Sequence, residues 1–174
     1  MRLCGLLLLT CVLAVGCGDD DNPTAPTTAP NTVTFTSALR PANEVPPVSN
    51  AEASGTGTAV ITFNLTRDTA GAIQSGTVDF RFDLTGFPPG TPINLAHIHN
   101  GPAGQNAGVF INTGLSASTA LGLTSGAGSW EGRGITATAA QLQAIIDNPA
   151  NFYFNVHSTL NPGGVARGQL VRQQ

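Results

Sequence analysis

From Val33 onward, hydrophobic and polar positions alternate with a period of two, the spacing of a β-strand that buries one face. Val33, Phe35, Ser37 and Leu39 alternate with threonines and Ala38, and Ala59, Ile61, Phe63 and Leu65 alternate with Thr58, Thr62 and Asn64. The run from Val78 to Leu84 is the clearest. Val78, Phe80, Phe82 and Leu84 take one face, while Asp79, Arg81 and Asp83 take the other. A slip of one residue would bury those charges, so the register is pinned.

The pattern breaks where turns are needed. Asp68-Thr-Ala-Gly71 predicts a hairpin turn, with Gly71 free to adopt positive φ. Gly86 to Pro92, with Pro88, Pro89 and Pro92, predicts a loop, because proline has no N–H for a ladder. Val109 to Ile111 and Gly126 to Thr136 predict two short strands, and Val165 to Val171 a closing one. One segment reads as helix. Thr138 with Gln141 forms a capping-box pattern, Ala139 to Asp147 places Leu142, Ile145 and Ile146 on one side, and Pro149 stops it. The expected fold is all-β, an antiparallel Greek-key-like sandwich or barrel of about eight short strands with one short helix.

The first residues change the picture of where this domain lives. In the 174-residue chain, Met1-Arg2 precedes an apolar run from Leu3 to Val15, short for a membrane span but suited to an export signal. It ends Leu13-Ala-Val-Gly16-Cys17, which resembles the bacterial lipobox, so residues 1–16 are expected to be a lipoprotein signal peptide and Cys17 the lipidated residue. Residues 17–32 follow as a polar tether rich in Pro and Thr, and residues 33–174 as the domain. All three cysteines, Cys4, Cys11 and Cys17, lie at or before the cut, so no internal disulfide is expected in the mature protein. These features imply a bacterial cell envelope location, with lipid anchoring to a membrane and an envelope or other protein as partner. Beyond Asp19 to Asp21 the acidic residues nearly balance six arginines, and lysine is absent, which excludes a basic footprint for nucleic acid.

Candidate chemistry rests on the chain's three histidines. His97 and His99 occupy alternate positions of a strand-like run, so they point the same way, roughly 6.5–7 Å apart. His157 ends the run Phe152-Tyr-Phe-Asn-Val-His157, sharing a face with Tyr153 and Asn155 while Phe152, Phe154 and Val156 take the other. Convergence of the three imidazoles would suit one copper or zinc ion. The alternative is structural, with hydrogen-bonded rings tying loops such as Gly101 to Gly108 to the sheet. Glu44 is positioned to pair with Arg167, and Arg167 with Gln169 is expected at the surface or rim of the last strand. Ser158 and Thr159 beside His157 do not make a triad, since a strand neighbour points to the other face and no orienting carboxylate is evident.

Glu44-Val-Pro-Pro47, Ala96-His-Ile-His-Asn-Gly-Pro-Ala-Gly104, Phe154-Asn-Val-His157 and Pro162-Gly-Gly-Val-Ala-Arg-Gly-Gln-Leu170 together resemble the CHRD domain, named for its occurrence in chordin. The resemblance runs from about Val33 to Val171 and implies an extracytoplasmic β-domain, the family being found in many bacterial secreted proteins and lipoproteins. His97-Ile-His99 and the later Asn-Val-His157 are also similar to the copper-ligand pattern of Cu/Zn superoxide dismutases. Only those three positions correspond. The bridging histidine and the zinc loop have no counterpart, which excludes a dinuclear site.

Two classes of function follow. The preferred one is a non-catalytic, membrane-tethered binding or structural domain. The other is a mononuclear copper or zinc protein using His97, His99 and His157, redox-active in the manner of a superoxide dismutase-like fold.

Overall fold

The alternating runs become strands, and the computed structural model describes residues 29–174 of the chain. The expected signal peptide, Cys17 and most of the tether lie outside the described residues. β1 (Thr32–Leu39), β2 (Thr56–Arg67) and β3 (Ile73–Thr85) form an antiparallel meander, extended by β7 (Gly128–Ala137) beside β3 and by β10 (Val171–Arg172) beside β1. The second sheet has β4 (Thr91–Asn100) at its centre, between β5 (Val109–Asn112) and β8 (Phe152–Ser158). β9 (Ala166–Gln169) follows β8, and β6 (Leu121–Leu123) pairs with the start of β4. The result is a sandwich of two antiparallel sheets, with connections that repeatedly change sheets.

The core lies where the two inner faces meet. Phe80 and Phe82 of β3 each lie 6.0 Å, centroid to centroid, from Phe154 of β8, and Phe82 stacks on Trp130 at 5.5 Å. The polar face of β3 points to water, with Arg81 bonded to Asp83 and Glu131. The helix α1 (Ala139–Asp147) forms as its sequence predicts. Gln141 N–H donates to Thr138 Oγ1 at 3.2 Å and Thr138 N–H to Gln141 Oε1 at 2.9 Å, while Leu142 and Ile145 are fully buried.

Some boundaries differ from expectation, each for a local reason. The ten strands among the described residues exceed the expected number because β6 and β10 are only three and two residues long, too short to show alternation. The expected closing strand is broken at Leu170, whose side chain is buried and whose N–H bonds to Phe152 O at 2.9 Å. The chain changes sheets there. Pro92, expected in a loop, lies in β4, near a strand end where only β6 pairs alongside it. The sheets also meet at one edge, where Arg40 and Arg167 exchange backbone hydrogen bonds at 3.1 and 3.3 Å.

Candidate metal centre

Register alone brings the three histidines together. β4 runs antiparallel to β8, with His97 opposite Asn155, His99 opposite Tyr153 and Leu95 opposite His157. Ile98, Phe154 and Val156 turn into the sandwich, so all these polar side chains share the outer face of the second sheet. That face is covered. Every residue of β8 is buried, the inner side by aromatic core and the outer side by loops.

The loops are held by the site itself. His99 Nδ1 lies 2.9 Å from Ala107 O, and His157 Nδ1 lies 2.9 Å from Pro162 O. A carbonyl oxygen only accepts, so each Nδ1 carries the proton and each Nε2 presents a lone pair. His99 Nε2 is buried with no hydrogen-bond partner. His97 Nδ1 lies 3.2 Å from His157 Nε2, and one nitrogen from each of the three rings lies within 4.8 Å of the others. Two ligands about 2.0–2.1 Å from a tetrahedral ion are ~3.3 Å apart, close to the His97–His157 spacing.

Burial keeps these bases neutral. It pushes His97 down to about 4 from its ordinary 6.5, helped by the neighbouring His157 and His99. Burial also lowers His99 and His157, against their hydrogen bonds to Ala107 and Pro162. Near neutral pH the three rings therefore offer lone pairs rather than charges.

A second ring of groups surrounds them. Tyr153 stacks on His99 at 4.8 Å with planes 3° apart, and the Arg167 guanidinium carbon lies 4.6 Å from the Tyr153 centroid. Arg167 was expected at the rim. It is 2% exposed, because β9 turns it under the loops, where it donates to Asn43 O, Gln105 O and Asn106 Oδ1. The expected partner Glu44 is near, Oε2 standing 3.8 Å from Arg167 Nε, but the closer acceptors of that guanidinium are these loop oxygens. Burial pushes the Glu44 carboxyl up to about 7, partly countered by Arg167 and by the Asn155 amide. Gly164, at φ +136°, passes so close that a Cβ there would meet both Asn155 Nδ2 and Glu44 Oε2 at 2.7 Å. Only glycine fits. Gln169, the other residue expected at the rim, is half-buried and donates to Gly101 O and Ala150 O.

Sequence reasoning missed one carboxylate. Glu52 is 4% exposed and accepts from Ser158 Oγ, on the side of β8 away from His157. Asn161 also donates to it, so this group fastens the 3₁₀ turn Ala51–Ser54 to the loop after β8. The one hint was Asn50, a turn former two residues earlier whose side chain accepts from Glu52 N–H.

No curated protein and no solved structure matches this chain. The family model of the CHRD domain matches residues 35–170, from β1 to the end of β9 and with every residue of the histidine cluster inside it. With that match covering most of its length, the chain belongs to the CHRD domain family.

Proposed function

We propose that the chain is a lipid-anchored, extracytoplasmic CHRD-domain protein of a bacterial envelope, non-catalytic, whose domain holds a single copper or zinc ion through His97, His99 and His157. The observation that carries the metal reading is the pair of Nδ1–H groups committed to Ala107 O and Pro162 O, which leave both Nε2 atoms as lone-pair donors, that of His157 3.2 Å from His97 Nδ1 and that of His99 buried without a partner. A backbone carbonyl that accepts from one ring nitrogen fixes the tautomer and aim of a ligating histidine in this way. Three neutral imidazoles suit either ion, and copper is favoured by affinity.

Holding fits this site better than turnover. Each histidine is 6% exposed, so an ion is enclosed while a substrate has little room to reach it. The hydrogen bonds that tie the loops to the sheet are the same bonds that orient the rings, so the structural and metal roles coincide. Calorimetric titration with copper and with zinc is expected to give one ion per chain, lost in His97→Ala and His157→Ala. Equal binding by wild type and both variants would overturn the reading.

The anchor rests on the sequence Leu13-Ala-Val-Gly16-Cys17 and the polar residues after it. Cys17→Ser is expected to move the protein from membranes to the soluble fraction. Retention after a high-salt wash would contradict it.

A further inference from the structure

We infer that Asn155 supplies the fourth ligand of the histidine site, through its side-chain oxygen. The inference rests on the three-histidine reading and extends it. Asn155 is 2% exposed and lies directly across the ladder from His97. Its Oδ1 stands 3.0 Å from His157 Nε2. That nitrogen is an acceptor, because the proton of the His157 ring is committed to Pro162 O. Two acceptors facing each other in a buried site do not attract. A cation beside them attracts both.

Turning the amide over does not relieve the conflict. The Nδ2 side of Asn155 faces the Glu44 carboxyl group beside Gly164, and a reversed amide would present its oxygen there instead of a donor. Glu44 thus selects the rotamer that points Oδ1 at the histidines. Gly164 keeps the contact open, since any Cβ there would push the two groups apart. Three imidazole nitrogens and one neutral amide oxygen make a closed four-ligand shell, the arrangement of a held ion rather than one open to substrate.

The test uses cobalt(II) as the probe, with zinc as competitor, on the full chain carrying Cys17→Ser. Four-coordinate cobalt absorbs far more strongly in the visible than five- or six-coordinate cobalt. Wild type is expected to give the strong spectrum. Asn155→Ala is expected to weaken binding by on the order of tenfold to a hundredfold and to lose intensity. Asn155→Asp combined with Glu44→Gln, so that the second Asp oxygen faces an amide rather than a carboxylate, is expected to bind more tightly than Glu44→Gln alone and to keep the strong spectrum. If Asn155→Ala does not fold, this double variant carries the test, and equal or weaker binding by it would overturn the assignment. If Asn155→Ala matches wild type in affinity and spectrum while His157→Ala does not bind, the fourth ligand is wrong and the three-histidine site stands. If wild type takes up neither cobalt nor zinc, both fall.

Discussion

Strands β3 and β8 carry the same alternation and meet opposite fates. In β3, Val78, Phe80, Phe82 and Leu84 are buried while Arg81 and Asp83 remain in water, the side chains of that pair being 53% exposed. In β8, Phe152, Phe154 and Val156 are buried, and so are Tyr153, Asn155 and His157 on the other face. Alternation states which face turns inward. It does not state what covers the polar face. On β3 water covers it, whereas on β8 the loops around Glu44, Ala107 and Pro162 do, so polar groups that would be solvated elsewhere must satisfy one another.

If both strands share one core, the largest stability loss should come from the residue that joins them. Phe154→Ala removes the ring that contacts both Phe80 and Phe82, and is expected to cost about 4 kcal/mol in urea unfolding. A loss near that of a surface substitution would show that the sheets are less tightly joined than their packing indicates.

The next effect separates the two polar faces. Arg167→Leu strips loop carbonyls and a buried carboxylate of their partner, and is expected to cost about 3 kcal/mol at pH 8. The loss should shrink at pH 5, where Glu44 can take up a proton and stay neutral in its buried site. A loss independent of pH would place the cost in packing alone.

How much of this was legible follows the same division. Charges at Asp79, Arg81 and Asp83 pin β3, and the Thr138–Gln141 pair marks the helix start, because each signal is complete within a few residues. The shared face of His97, His99 and His157 was also readable from strand periodicity. The burial of Arg167 was not. Its partners Asn43, Gln105 and Asn106 lie more than 60 residues away, and alternation places an arginine on a polar face without saying that loops fold over it. β6 and β10 stayed hidden because two or three residues show no period.

A smaller effect comes from acid. The unfolded histidines take up protons near 6.5, while folded His97 resists to about 4, so its contribution is intact above 6.5 and is lost as pH falls through that window. Glu44 works the other way. Its folded value of about 7 exceeds its ordinary 4.5, so its contribution is present below 4.5 and lost as pH rises toward 7. Glu44→Gln removes the opposing contribution and is expected to steepen the loss of melting temperature between pH 6.5 and 4.5. An unchanged slope would mean that Glu44 titrates alike in the folded and unfolded protein.

The smallest effect is expected on the open face of β3. Asp83→Asn breaks an exposed pair with Arg81, and should leave the melting temperature unchanged within error. A clear shift would mean that β3, too, has a covered polar face.

The covered face of β4 and β8 is proposed to hold one ion. Crystals grown with copper or zinc and measured at that metal's absorption edge test it most directly. A single anomalous peak is expected about 2.0–2.1 Å from one nitrogen each of His97, His99 and His157. A map with no peak there, or with its only peak elsewhere on the molecule, would contradict it.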